Sequence, residues 1–179
     1  MRQFIIISNT VDTSKPLSLN SLTAYGRLDV ICRCISSAFF LSNNFRKNVI
    51  LKIFFRINSK ILEIQGDKVR GINPDERAIA GVLKKVFKGH KYPGIIFYQE
   101  TLENVINQEQ LVVLDSGGIY SAKKIETKNI FLIGDQLGFP KEEMDLFLKL
   151  EKISLGTHEY LSSQTITMLN YLLDDTELK

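Results

Sequence analysis

Two glycine-bearing loops late in the chain contain the residue types best suited to binding a ligand. The run NIFLIGDQLGFPKEE (residues 129–143) and the run KISLGTHEYLSSQTITMLNYLLD (residues 152–174) each begin with apolar strand formers and continue into polar residues with glycines. Glycine accepts positive φ and lets another molecule approach the main chain closely. Gly134, Gly138 and Gly156 therefore predict a ligand site at strand ends, although these glycines could instead serve only the turns.

Familiar catalytic and metal-binding motifs are not found in the sequence. Its two histidines, His90 and His158, do not assemble a convincing Ser-His-Asp arrangement, GDQLG fails the GxGxxG pattern, and no GxxxxGK[ST] string occurs. Cys32 and Cys34 would point in different directions on a helix, which makes them a poor pair for a disulfide or a metal. We therefore expect no metal site, and free thiols that fit a reducing compartment.

Basic residues are concentrated in the first half of the chain. Residues 1–91 contain 16 lysines and arginines against 6 aspartates and glutamates, whereas residues 92–179 contain 7 against 14. This asymmetry favours a surface that binds a polyanion, with RNA or DNA as the leading candidates. Solvated lysines, or attraction between the two halves, would explain the same distribution without a nucleic acid.

The elements that must position these residues alternate between strands and helices. Strands are predicted at residues 3–8, 49–56, 60–65, 94–99, 110–115 and 129–135, the second and third forming a hairpin. Helices are predicted at residues 28–42 and 73–89, around 102–107 and 141–150, and at about 161–173. This alternation in 179 residues predicts a single α/β domain, 1–179, with a largely parallel sheet flanked by helices.

Two of the helices lead to further predictions. Asn73 is predicted to cap the helix at residues 73–89, with Pro74 as its first residue and Gly89 as its end. The last helix has apolar residues on more than one face, which predicts burial inside the domain or in a homodimer interface.

No segment of the sequence resembles a membrane span or a signal peptide. The longest apolar windows, such as residues 49–55, are too short to cross a bilayer, and the first eight residues lack the architecture of a signal peptide. We therefore expect a cytoplasmic protein with no membrane partner.

An ordered set of motifs resembles one known family over nearly the whole chain. The strings GRLDVICRCISSAFFLS, NPDERAIA, YPGI, LDSGG, FLIGDQLGFP and ISLGTHEYLSSQTITMLNYLLD occur in the order expected for archaeal-type tRNA pseudouridine N1-methyltransferases of the SPOUT (α/β-knot) superfamily. The resemblance implies an enzyme that uses S-adenosyl-L-methionine to methylate N1 of pseudouridine at position 54 of tRNA. It also implies a SPOUT-type α/β knot with a C-terminal trefoil knot, and a homodimer with the cofactor bound in the knot.

The resemblance further implies which residues form the cofactor pocket. They lie in three loops and the last helix: Leu114, Gly134, Gly138, Ser154, Leu155, Gly156, Thr157, His158 and Thr165. Adenine edges can pair with main-chain amides and carbonyls, while Leu114 and Leu155 would supply apolar walls, unless they are ordinary core residues. His158 could instead cap the last helix.

Asp29 and Arg27, in the string GRLD, are the predicted catalytic residues. N1 of pseudouridine must lose a proton before it can attack, and a neighbouring carboxylate can accept that proton or orient the ring. Arg27 could hold a phosphate or the base through its fork of donors. Alternatively, Asp29 stabilises its helix start and pairs with Arg33.

The predicted RNA contacts are cations of the basic half, because tRNA binding depends on neutralising phosphates. They are Arg27, Arg33, Arg46, Lys47 and Arg56, any of which could instead be a solvated surface charge.

The chain departs from the family at two places. Thr165 stands where the family often has cysteine, and the segment around residues 90–92 is short, which could alter RNA contacts. Other functions remain open at this point: methylation of pseudouridine in ribosomal RNA, RNA binding without catalysis, and nucleotide sensing.

Overall fold

A computed structural model describes the backbone of residues 1–176 and the side chains of residues 1–174. Within that part of the chain the strands are β1 (Arg2–Ser8), β2 (Val49–Phe55), β3 (Lys60–Gln65), β4 (Ile95–Gln99), β5 (Leu111–Tyr120), β6 (Ile130–Gly134) and β7 (Glu151–Ser154). The helices are α1 (Leu28–Phe39), α2 (Glu76–Phe87), α3 (Leu102–Ile106), α4 (Ala122–Glu126), α5 (Met144–Leu148) and α6 (Ser162–Thr176).

The strands form one sheet in the order β4-β3-β2-β1-β6-β5-β7. Strands β2, β1, β6, β5 and β7 run parallel, whereas β3 and β4 pair antiparallel at one edge. The predicted α/β class with a largely parallel sheet is therefore confirmed, as is the β2–β3 hairpin. Because parallel strands share a direction, β1, β6, β5 and β7 bring their carboxyl ends to the same edge of the sheet.

Helices cover both faces of this sheet, and successive residues of β1 pack alternately against the helices of one face and of the other. Phe4 and Ile6 belong to an apolar cluster with residues of α1, α2 and α6, whereas Ile5 and Ile7 belong to a second cluster with residues of α3 and α5. Successive strand residues point to opposite faces, so a strand buried on both sides is apolar throughout.

Helix α6 packs against α1 and is tied to the first strand. The Arg2 guanidinium donates to the Asn170 side chain at 3.1 Å and to Asp174 at 2.8 Å, and Arg46 also donates to Asp174, at 2.6 Å. The helix also contacts α4 and β6, while Tyr171 on its outer face remains 74% exposed.

Several predicted boundaries were wrong. Asn73 and Pro74 lie before α2, whose N-cap is Asp75: its carboxylate accepts from the Ala78 N–H at 2.8 Å. Helix α1 ends at Phe39 rather than near residue 42, since Phe40 is already extended. The helix predicted at 141–150 is a 3-10 turn (Lys141–Glu143) followed by α5, and α4 was not predicted.

Among the described residues, no helix combines the length and the apolar character needed to cross a membrane.

Candidate active site

The three loops predicted to bind the cofactor lie at one edge of the sheet. They follow the paired part of β5, β6 and β7, which are neighbouring parallel strands. The end of β1 lies at the same edge, beside β6. This edge therefore brings together polar main chain from four strand ends, the usual location of ligand sites in open α/β sheets.

The loop after β6 is held by Asn9, the first residue after β1. The Asn9 main-chain N–H donates to Asp135 Oδ2 at 2.6 Å, and its side-chain amide donates to Asp135 Oδ1 at 2.8 Å and to the Gly138 carbonyl at 2.9 Å. Asp135 also accepts from the Leu137 N–H at 2.9 Å. Buried Asp135 is thereby satisfied, and the loop 134–138 is fixed against β1.

Gly134 lies against its own loop. A Cβ at this position would lie 2.7 Å from the main chain of Gly138, so the space above Gly134 is filled by its own loop. The carbonyl of Gly134 accepts from the Ser162 hydroxyl at 2.7 Å, which joins the end of β6 to the start of α6. Glycine at position 134 therefore permits the tight turn of this loop.

Gly156, by contrast, faces open space. Its φ of 142° suits glycine, and the nearest atom to a Cβ there would be the Tyr160 hydroxyl, 4.0 Å away. Buried Ser154, at the end of β7, accepts from the Gly156 N–H at 3.0 Å and donates to the Gly156 carbonyl, which holds this loop in shape.

Strand β5 is interrupted where it passes the site. Leu114 and Ile119 both pair with Ile153, so the residues between them loop out. Gly118 allows this because a Cβ there would lie 2.7 Å from the Ile153 main chain. In the loop, the Asp115 carboxylate accepts from the Gly117 N–H at 2.8 Å and from Lys152 at 3.1 Å. Hydrogen bonding by Gly117, together with Lys152, lowers the pKa of Asp115.

The remaining predicted pocket residues differ in burial. Leu114 and Leu155 are half-buried and pack against the main core, as expected either for pocket walls or for strand-end core residues. Thr157 and His158 are exposed, and Thr165 is buried in the first turn of α6. Since α6 begins at Ser162, His158 does not cap that helix.

Arg27 and Asp29 form a bidentate ion pair at the start of α1. Arg27 Nε and Nη2 donate to the two Asp29 oxygens, each at 3.0 Å, and Arg33 donates to Asp29 Oδ2 at 2.8 Å. The hydrogen bonds from Arg27, reinforced by Arg33, lower the pKa of Asp29, although burial acts in the opposite direction. The predicted pairing of Asp29 with Arg33 is confirmed, and the carboxylate is ionised at neutral pH with both oxygens occupied.

The backbone at Arg27 is left-handed, with φ 63° and ψ 41°. The preceding residue, Gly26, also has positive φ, and a Cβ on it would lie 2.1 Å from the Thr10 carbonyl oxygen. Non-glycine residues adopt this conformation at a cost of about 1–3 kcal/mol, and such residues cluster at functional sites.

Hydrogen bonds connect this ion pair to the β6 loop. Gln136 donates to the Thr10 hydroxyl at 3.2 Å, and the Thr10 hydroxyl donates to the Gly26 carbonyl at 2.7 Å, one residue before Arg27. The structure therefore joins the predicted catalytic pair to one of the predicted cofactor loops.

Four residues of this arrangement were missed by the sequence analysis: Asn9, Thr10, Asp135 and Gln136. A signal for them was present, because polar residues that directly follow a buried parallel strand lie where ligands bind in such sheets.

All four of the predicted RNA-binding arginines have carboxylate partners, including Arg27, which pairs with Asp29. Arg33 pairs with Asp29 and Glu76, Arg56 with two glutamates in the turn after β6, and Arg46 with Asp174. Lys47 is exposed and has no ion pair within the described residues.

The two cysteines of α1 are buried free thiols. Burial raises the pKa of each thiol to about 12. In the described part of the chain, no group of three or more histidine, cysteine, aspartate or glutamate residues could hold a metal ion.

Comparison with known proteins defines the class to which this fold and site belong. Residues 1–178 match a family described as "Putative SAM-dependent RNA methyltransferase", and the chain belongs to that family. The resemblance drawn from the motifs is thereby confirmed.

Two relatives are named for a more specific reaction. The tRNA (pseudouridine(54)-N(1))-methyltransferase of Thermococcus kodakarensis is 32% identical over 97% of this chain and 99% of its own length. The Haloarcula marismortui protein of the same name is 31% identical over 97% of this chain and 96% of its own. The Thermococcus alignment extends over 197 positions, more than the 179 residues here, so that relative contains segments this chain lacks.

A solved structure shares the fold. Archaeoglobus fulgidus Nep1, crystallised with S-adenosylhomocysteine, superposes with a TM-score of 0.75 over 99% of both chains at 11% identity.

Proposed function

We propose that this protein methylates N1 of pseudouridine at position 54 of tRNA, using S-adenosyl-L-methionine. The observation that carries the proposal is full-length similarity to the Thermococcus enzyme named for this reaction. The site geometry supports it, since the β6 loop predicted to bind the cofactor is hydrogen-bonded to the segment containing Arg27 and Asp29.

The residues at the sheet edge fit S-adenosyl-L-methionine. Half-buried Leu114 and Leu155 provide apolar surface for adenine, and the loops at Gly138 and Gly156 offer main-chain groups with open space above both glycines. Ser154 fixes the third loop, Thr157 and His158 follow that loop, and Thr165 lies in the first turn of α6. When bound, the cofactor supplies a methyl group carried on a sulfonium.

Arg27 is the side chain best placed to meet the RNA. The Arg27 side chain is 44% exposed, whereas the Asp29 side chain is 6% exposed and is enclosed by two arginines. A carboxylate with lowered pKa and occupied oxygens is a weak proton acceptor, so Asp29 orients Arg27 in this proposal. Arg27 then holds the target base or its phosphate, and the N1 proton leaves to solvent.

The family fold adds a C-terminal trefoil knot and a homodimer to the proposal, within a single domain of residues 1–179. Exposed apolar side chains favour the homodimer: Ile119, Tyr120, Leu137, Leu161 and Tyr171 are each at least 59% exposed. They lie on β5, on the β6 loop, and on or just before α6, where pairing of two copies would cover them. Two free thiols fit the cytoplasm, where tRNA is modified.

Methyl transfer to two tRNA transcripts tests the reaction. Purified protein is incubated with labelled S-adenosyl-L-methionine and tRNA carrying either pseudouridine or uridine at position 54. We expect label only in the pseudouridine tRNA. Absence of transfer to both, with cofactor binding retained, would contradict the proposed substrate, and transfer to ribosomal RNA instead would redirect it.

A further inference from the structure

The exposed face of α2 contains lysines that have no role in the site described above. Lys84 and Lys88 border two neighbouring cavities, one of about 200 Å³ beside the 13–17 segment and one of about 550 Å³, which Lys85 and His90 also line. We call Lys84, Lys85 and Lys88 the α2 lysine cluster.

The charges of this cluster are not neutralised. None of its three ammonium groups forms an ion pair with a carboxylate among residues 1–174, and no acidic side chain lines either cavity. Arg33, Arg46 and Arg56, by contrast, are paired with carboxylates. The α2 lysine cluster therefore adds a group of available positive charges to the basic half, besides Lys47, whereas these arginines are paired.

Helix α2 also connects the cluster to the proposed catalytic pair. Glu76, its first residue, accepts from Arg33 at 3.2 Å, and Arg33 donates to Asp29. With a rise of 1.5 Å per residue, the cluster lies roughly 12–18 Å along the helix from Glu76. An RNA whose target base lies at Arg27 can therefore reach the α2 lysine cluster, whereas a single nucleotide bound at Arg27 is too short to do so.

We propose that the α2 lysine cluster binds the phosphodiester backbone of the RNA substrate outside the nucleotide that is methylated. The inference rests on the proposed function. Lysine acts as a point charge toward phosphate, and contacts of this kind set affinity and register without reading sequence. Lys85 and Lys88 are exposed, which suits a strand passing over the surface better than an enclosed small ligand.

The test compares two triple variants with the same change in charge. One is Lys84→Gln/Lys85→Gln/Lys88→Gln. The control is Lys123→Gln/Lys141→Gln/Lys149→Gln, which removes three exposed lysines that also have no ion pair in the described region. Binding of the tRNA transcript is measured from 0.05 to 0.5 M salt, separately from methyl transfer.

We expect the α2 variant to bind tRNA at least about tenfold more weakly near 0.15 M salt, with a salt slope shallower by about 2 to 3. The loss should appear in KM for tRNA, and the Kd for S-adenosyl-L-methionine should match that of the control. If the two variants bind tRNA equally and the protein methylates tRNA, the proposed contact between the α2 lysine cluster and the RNA backbone is wrong, while the proposed function stands. If tRNA binding depends on the α2 lysine cluster but no methyl transfer occurs, the proposed function is wrong, while the proposed RNA contact stands.

Discussion

Asn9 donates hydrogen bonds to both carboxylate oxygens of Asp135, from its main-chain N–H at 2.6 Å and from its side-chain amide at 2.8 Å. The two residues are 126 positions apart in sequence and lie at the ends of adjacent parallel strands. Since the same amide reaches the Gly138 carbonyl, one side chain sets the shape of the β6 loop. Hydrogen bonds to a carboxylate are stronger than those between neutral groups, so we expect the Asn9–Asp135 contact to keep the β6 loop in one conformation.

Replacing Asn9 by alanine should weaken cofactor binding. The variant loses both side-chain hydrogen bonds to the loop, and we expect the Kd for S-adenosyl-L-methionine to rise about tenfold or more by calorimetry. Asn104→Ala is the matched control, because the Asn104 amide contacts only Glu100 at the surface. An unchanged Kd in a folded Asn9→Ala protein would remove the β6 loop from the cofactor site.

Asp29→Asn and Arg27→Gln should damage the same step. If Asp29 acts through Arg27, each variant lowers kcat for tRNA methylation by about a hundredfold, and the double variant is no slower than Arg27→Gln alone. Single-turnover rates on pseudouridine tRNA measure this coupling. Full activity in Arg27→Gln, together with a large loss in Asp29→Asn, would show that Asp29 acts independently of Arg27, as a proton acceptor would.

Gly134→Ala should lower stability, because its methyl group would meet the Gly138 main chain at 2.7 Å. Overpacking of this kind costs about 1–3 kcal/mol in the free energy of unfolding. Gly81→Ala should instead raise stability. A Cβ at this helical position would have no atom outside its own helix backbone within 4 Å, so we expect the free energy of unfolding to increase by about 0.5–1 kcal/mol. Denaturant titration measures the free energy of unfolding of both variants. A Gly134→Ala protein as stable as wild type would contradict the predicted clash with the Gly138 main chain.

Glu151 makes stability depend on acid pH. Hydrogen bonds from Lys124 at 2.8 Å and from Lys128 lower its pKa from 4.5 to about 2. A depressed folded-state pKa stabilises the fold above pH 4.5, and that contribution disappears as pH falls toward 2. Glu151→Gln should therefore be less stable than wild type at pH 6, by less than about 1 kcal/mol, and nearly equal to it at pH 2. Glu126→Gln, an exposed glutamate with no ion pair in the described region, should show no such trend.

Cys32 and Cys34 should resist alkylation while the protein is folded. Both thiols are buried, and burial raises their pKa to about 12, so almost no thiolate exists at neutral pH. Mass spectrometry after treatment with iodoacetamide at pH 7.5 should show no adduct, and two adducts in denaturant. Rapid labelling of the native protein would mean that α1 opens readily from the sheet.

The fold class could be predicted because each strand contains its own signal. The run FIII in β1 is apolar at every position, as a strand buried on both faces must be, and the apolar spacing of α1 matches its buried side. The cap of α2 was misjudged for a local reason: Asn73, Pro74 and Asp75 all favour a helix start, and only the backbone decides which side chain reaches the Ala78 N–H.

The candidate site was less predictable because its contacts are long-range. The loops at Gly138 and Gly156 could be found from glycines that follow strands, but the Asn9–Asp135 contact depends on which strands are neighbours. Similarly, the sequence shows that Arg46 is basic without showing that Asp174 neutralises it. Charge composition therefore predicted a polyanion surface but not the side chains that remain available to form it.

The contacts of Arg2 have a consequence for synthesis of the chain. Its partners, Asn170 and Asp174, are 168 and 172 residues later, and β1 is also paired with β6. During synthesis, β1 must therefore wait until α6 has been made before Arg2 meets these partners. At roughly 5–20 residues per second, β1 can pair with β2 early, but its other neighbour, β6, is made only about six seconds or more later. The parallel sheet around β1 is therefore completed only after more than 120 further residues have been made.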